Sequence, residues 1–116
     1  MDFRRSDNAQ ANLLKGNLEL ILLSILQDKP KYGLEIIKEA GSRTGGYFDF
    51  KEGSLYPALH RLTEAGLLEA EFGYLPRGGA PVRFYHITEA GRRVLAHKRE
   101  EFEEFSRAVK SLWSKG

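Results

Sequence analysis

Ser54-Leu55-Tyr56-Pro57-Ala58-Leu59-His60-Arg61-Leu62-Thr63-Glu64-Ala65-Gly66, followed at once by the alternating run Leu68-Glu69-Ala70-Glu71-Phe72-Gly73-Tyr74, decides how this chain folds. Leu55, Leu59 and Leu62 recur at four and then three residues, the spacing of one buried helix stripe. At about 100° per residue, Ser54, Pro57, His60, Arg61 and Glu64 fall on the opposite, wet side, with Tyr56 at its margin. Pro57 lacks an amide proton and fits most easily in a first turn, so the expected helix covers residues 54–65 with Ser54 as its N-cap. Gly66 is a good stop. The alternating run then reads as a half-buried strand, and Val82-Arg83-Phe84-Tyr85-His86-Ile87 reads as its antiparallel partner. Leu75-Pro76-Arg77-Gly78-Gly79-Ala80-Pro81 between them is turn chemistry, which makes the pair a hairpin with a long tip.

Two more helices are expected upstream. Asn17 can cap one reaching about Gln27, and its apolar residues Leu18, Leu20, Ile21, Leu22, Leu23, Ile25 and Leu26 cover nearly the whole circumference. A helix that apolar must be buried on several faces, so part of it needs a cover from beyond one small domain. Pro30 breaks it, a second helix is expected over residues 32–43, and Gly45-Gly46 ends that one. Tyr47-Phe48-Asp49-Phe50 alternates and suggests a short strand. Residues 1–15, with Arg4, Arg5 and small polar side chains, read as a loose arm that becomes ordered near Leu13. At the other end Thr88, Glu89 and Ala90 open a last helix to about Trp113. The order helix, helix, helix, strand, strand, helix gives a mainly α fold class with a small β-hairpin. It matches a winged helix-turn-helix with a long helix appended.

Composition bounds what such a chain does. Its 116 residues carry 18 basic and 16 acidic side chains, 3 His and no Cys, so one compact domain with an appended element is expected. The lack of Cys removes thiolate nucleophiles and cysteine-based zinc sites. The densest apolar run, residues 18–26, carries a Glu and is about half as long as a membrane span. Enzyme readings lack parts: no glycine loop ends in Lys-Ser or Lys-Thr, and no Ser sits in a nucleophile elbow. His60, His86 and His97 fall on three elements and make no metal-ligand pattern, and no catalytic residue or cofactor is expected.

Gly53-Ser54-Leu55-Tyr56-Pro57-Ala58-Leu59-His60-Arg61-Leu62, together with Gly16-Asn17-Leu18, Pro30-Lys31-Tyr32-Gly33-Leu34-Glu35-Ile36-Ile37 and Phe84-Tyr85-His86-Ile87-Thr88-Glu89-Ala90-Gly91, closely resembles the PadR family of bacterial transcriptional regulators. The four motifs occur in the family's order, and the likeness runs from about Leu14 to Trp113. The resemblance implies a cytoplasmic, dimeric winged-helix protein that binds double-stranded DNA, usually as a repressor, and often answers to a small aromatic or hydrophobic molecule. The corresponding organisation is an arm over 1–15, a DNA-binding unit over 16–87 and a C-terminal dimerisation helix over 88–116. Two departures stand out. Phe102 occupies a place where the family often has Trp, and the wing tip Gly78-Gly79-Ala80-Pro81-Val82 lacks the basic residues many members carry.

Three sites follow. On the third helix, Ser54 and Arg61 supply a hydroxyl and a guanidinium for base edges, while Tyr56 and His60 can bond phosphates or bases and Pro57 lies among them. Lys51 adds charge beside the exposed helix amides. The competing reading is an ordinary solvated face, to which Glu64 lends some weight. On the hairpin, Arg77 and Arg83 meet no acid between Gly73 and His86 and can anchor phosphates. On the last helix, Leu95, Phe102, Phe105, Val109 and Leu112 follow a three-four heptad spacing that Lys98 interrupts. With Leu18 and Leu22 they form the expected homodimer interface. Phe102, Phe105 and Trp113 are either plain core or the lining of an effector cavity at that seam. The alternative to all of this is a winged-helix protein-docking module that never touches DNA.

Overall fold

The computed structural model describes residues 7–115, with side chains from residue 12 onward. The elements are α1 (Asp7–Gly16), α2 (Leu18–Ile25), β1 (Lys31–Tyr32), α3 (Gly33–Arg43), α4 (Glu52–Glu64), β2 (Leu68–Gly73), β3 (Val82–Ile87) and α5 (Glu89–Ser111). The expected winged helix with an appended C-terminal helix is the fold observed. Its sheet has three strands in the order β1-β3-β2, all antiparallel.

The core is built from the leucine stripes. Leu55, Leu59 and Leu62 of α4 pack with Leu22, Leu23 and Leu26 of α2, Ile36 of α3 and Leu68 of β2. Here α2 is the central element, in contact with α1, α3, α4 and α5 of its own chain. That answers why it is apolar on nearly every side: most of the cover comes from within the protomer. At one edge Lys31 is fully buried, and its ammonium donates to the Ile25 carbonyl at 2.7 Å and to the Asp28 carboxylate. This bond holds the Asp28 carboxyl below the usual carboxylate range.

Several local expectations are revised. Residues 7–16 form a helix rather than a loose arm; residues 1–6, with Arg4 and Arg5, lie outside the described residues. Because α1 runs up to Gly16, Asn17 stands at a helix-to-helix corner, and its side-chain amide donates back to Leu13 O at 2.8 Å instead of capping α2. Residues 47–50 form no strand. Their alternation reports the buried Phe50 and half-buried Phe48 on an irregular loop, while Lys31–Tyr32 takes the free edge of β3. Ser54 is not the N-cap either: α4 begins at Glu52 with Lys51 as its cap, and Pro57 lies inside the helix. The acceptor Pro57 leaves without an amide is Gly53 O, and Gly53 is exposed, so water satisfies it.

The root of α5 is held by a short set of bonds. Thr88 N donates to Leu67 O at 3.0 Å, Thr88 Oγ1 donates to Gly66 O at 2.7 Å, and Gly91 N donates to Thr88 Oγ1 at 3.0 Å. Gly91 is there because a Cβ would overlap the Leu67 carbonyl oxygen and the Ile87 side chain. Gly91→Ala therefore separates α5 from the turn between α4 and β2. The expected loss is about 1–3 kcal/mol, seen in thermal unfolding as a midpoint lowered by roughly 5–15 °C; an unchanged midpoint would mean that the junction is loose.

Candidate nucleic-acid interface

Every residue expected on the wet side of α4 is exposed there. Ser54, Tyr56, Pro57, His60 and Arg61 face solvent, whereas Leu55, Ala58, Leu59 and Leu62 are buried. Two of the polar groups already have partners. His60 Nε2 lies 2.9 Å from Glu64 Oε1, and the Lys51 ammonium lies 3.0 Å from Asp49 Oδ2. Arg61 is in no ion pair among the described residues. A helix edge with a hydroxyl, an imidazole and an unpaired guanidinium suits hydrogen bonding to base edges in a groove about 12 Å wide.

Tyr56 is a special case on this edge. Its ring leans over Gly33, the first residue of α3, so closely that a Cβ on Gly33 would collide with the phenol. Burial raises the Tyr56 hydroxyl above its ordinary range, and the Glu52 carboxylate and Tyr85 hydroxyl add to the rise. The phenol stays protonated at physiological pH and keeps an O–H donor. The start of α3 is itself fixed by the Tyr32 amide, which donates to Glu35 Oε1 at 3.3 Å. Tyr32 also meets the Phe84 ring edge-on at 5.6 Å, tying α3 to the sheet.

The hairpin carries Arg77 in its exposed tip and Arg83 on β3. The Arg83 guanidinium sits 5.6 Å from the centre of the Tyr85 ring, a cation–π contact that limits its freedom. Phe72 and Tyr74, which the alternation pattern left as ordinary strand residues, are both 72% exposed on the same hairpin. Burial alone separates them from Leu68, four and six residues back. The sequence signal that reveals them is their distance along the strand from the last core rung.

The seam residues divide into two groups. Leu22 is 0% and Leu95 is 5% exposed, both within the protomer's own core, so neither has surface left for a partner. Heptad spacing cannot distinguish a side chain facing its own domain from one facing a second copy. Leu18 and Val109 are half-buried, while Phe102, Phe105 and Leu112 are 53%, 69% and 82% exposed. A groove of about 1250 Å³ runs between α2, α4 and α5, and Leu18, Ser54, Pro57, Arg61, Phe102 and Phe105 are among its walls. Trp113, expected beside those two rings, lies away from it near the end of α5. Lys98 crosses the same groove to Glu19 at 3.0 Å.

Metal binding finds no assembled group among the described residues. His60, His86 and His97 stay on α4, β3 and α5, each beside a Glu of its own. No cluster of three or more His, Asp or Glu could hold a metal ion there. No helix among these residues is long and apolar enough to cross a membrane.

The three-helix body, the hairpin and the solvent face of α4 define a winged-helix transcriptional regulator, and comparison with known proteins agrees. Residues 22–97 match the PadR-like family of transcriptional regulators. The chain is 36% identical over 92 residues to a transcriptional regulator of Mycobacterium tuberculosis, covering 79% of this chain and 81% of that one. It is 31% identical over 100 residues to an uncharacterized protein of Lysinibacillus sphaericus, covering 86% and 91%. The crystal structure of a PadR-like transcriptional regulator from Bacillus cereus superposes with a TM-score of 0.78 at 28% identity, covering 90% of this chain and 99% of that one. The chain belongs to the PadR-like family of transcriptional regulators.

The contact between Gly33 and Tyr56 can be tested by a double-mutant cycle. Gly33→Ala should destabilise the protein by about 1–3 kcal/mol while Tyr56 is present. In a Tyr56→Ala background it should cost far less, since the clash is gone. Equal costs in chemical denaturation would show that Tyr56 does not rest on Gly33.

Proposed function

We propose that the protein is a sequence-specific repressor that binds double-stranded DNA as a homodimer at an inverted repeat and is released by a small hydrophobic or aromatic molecule. The observation that carries this is the solvent face of α4. It sets Ser54, His60 and Arg61 away from the core beside a hairpin bearing Arg77 and Arg83. In this reading α4 enters the major groove, Arg61 forks onto a guanine, and Lys51, Arg77 and Arg83 hold phosphates. The role is binding, with no chemistry performed on the DNA.

The second copy is argued from α5. At about 1.5 Å per residue, its 23 residues span near 35 Å. The chain's radius of gyration is 16.3 Å, against about 13.4 Å for a compact chain of this length. Beyond Lys98 the helix outruns its own domain, exposing Phe102, Phe105 and Leu112. The charges on α5 favour an antiparallel partner. Glu100, Glu101, Glu103 and Glu104 lie before Phe105, and Arg107 and Lys110 lie after it. Two copies crossing near Phe105 would set the acidic stretch 100–104 of each against Arg107 and Lys110 of the other. The effector would occupy the groove beside Phe102 and Phe105.

Phe105→Glu should give a folded monomer, because the ring it replaces is exposed in the single chain. Sedimentation of wild type as a monomer at high micromolar concentration would end the dimer reading. Selection of duplexes from a random pool should recover a palindrome with half-site centres about 34 Å apart or a multiple of that. On that sequence Arg61→Ala should lose about 1–3 kcal/mol and relax its preference. Arg77→Ala and Arg83→Ala should weaken all duplexes alike and flatten the salt dependence. Gel shifts separate these outcomes, and no duplex binding at any salt concentration would leave a protein-docking module instead.

A further inference from the structure

We infer that Phe72 is an apolar wedge that enters the minor groove and bends the DNA held by the hairpin. The inference rests on the DNA-binding reading above. Its starting point is the register of β2 and β3, where Leu68 faces Ile87, Ala70 faces Tyr85 and Phe72 faces Arg83. Partners on paired strands share a sheet face, so these six residues form one ladder. Its first rung is buried and so is Tyr85 on the second, but the third has passed the edge of the body and both its members are exposed. Phe72 thus points the way the core does with no core left to meet, and Tyr74 follows it just beyond the strand.

The surroundings select the occupant. No carboxylate occurs between Gly73 and His86, and Glu69 and Glu71 lie on the opposite sheet face, paired with His86 and Phe84. The charges on this part of the hairpin are cationic: Arg83 is the register partner of Phe72, and Arg77 lies in the exposed tip. An exposed apolar ring on a hairpin that carries two arginines fits a surface of stacked apolar faces edged with phosphates, which is the minor groove of a duplex. Apolar side chains wedged at a base step there unstack it and kink the helix away from the protein. The arrangement also accounts for a wing tip without lysines. Its contact would rest on a ring and two arginines rather than on a dense basic patch.

The test uses the full-length protein and a duplex recovered by selection, with DNA bending read by energy transfer between its ends. Wild type should bend the duplex by roughly 20° or more. Phe72→Ala should lose most of that bend and about fivefold or more in affinity, whereas Phe72→Leu keeps both, because an aliphatic side chain can also wedge. The unfolding midpoint of Phe72→Ala should match wild type, since the ring packs on little in the protein. If Phe72→Ala binds and bends the duplex as wild type does, the wedge is refuted while DNA binding stands. If wild type binds no duplex, the underlying reading fails first.

Discussion

The solvent face of α4 and the course of α5 both refer to one joint, where Thr88 and Gly91 seat the start of α5 on the Gly66–Leu67 turn. The turn ends α4, and Thr88 caps α5, so two hydrogen bonds and one van der Waals contact fix one helix relative to the other. The tight contact at Gly91 leaves no room for a sliding interface, because its neighbour is a backbone carbonyl rather than a side chain that could yield. Arg92 adds a bond to Gln27 O at 3.0 Å across the start of α5, which ties α2 into the same corner. The end of α4 and the start of α5 are therefore held in one fixed relation.

The sequence was readable wherever burial and periodicity agree. The stripe Leu55, Leu59, Leu62 placed α4 and, by subtraction, its solvent face, so the side chains expected there were found exposed. Thr88 as a cap and the two alternating runs were equally legible. The misreadings share a cause: a local pattern was taken for a tertiary fact. Alternation over 47–50 records which rings are buried, not whether a hydrogen-bonding edge is free, and β1 is too short to show any pattern. The apolar circumference of α2 demanded cover, but periodicity could not say that α4, α5 and α1 provide most of it. Leu22 and Leu95 were assigned to a partner for the same reason. Phe72 looked like its neighbours because a strand's sequence does not reveal where the body beneath it ends.

The pairing of charges explains how so small an excess of basic residues could suit the proposed DNA binding. A net charge of +2 gives little long-range pull on a polyanion. On α4 and just before it, Lys51 and His60 stand next to Asp49 and Glu64, which lowers the field at the helix edge further. Such pairs in water contribute little to stability. In the proposed complex their effect would be on selection, since each carboxylate would disfavour a phosphate set down in the wrong register. Arg61 stands among them in no ion pair with the described residues, and in the proposed complex it would gain most from a correctly placed base. An interface of this kind trades general affinity for discrimination.

The groove between α4 and α5 gives that discrimination a handle. Arg61 and Ser54 form one wall and Phe102 and Phe105 another, so in the proposed dimer the groove's far side would be the crossing of two α5 helices. A molecule seated against the rings would press on the crossing, and the rigid joint at Gly91 would carry the displacement to α4. From Gly91 to Phe102 the lever is eleven residues, about 16 Å at 1.5 Å per residue. A tilt of about 10° over that length moves its end by about 3 Å, close to the rise of about 3.4 Å per base in one strand. Two α4 helices misplaced by nearly a base pair cannot both sit in register on successive turns. In the proposed repressor, a small repacking at the aromatic seam would then release the operator without unfolding any element. Phe102 would suit that role, because a phenyl ring would fill the crossing by shape alone and ask no hydrogen-bond partner of its occupant.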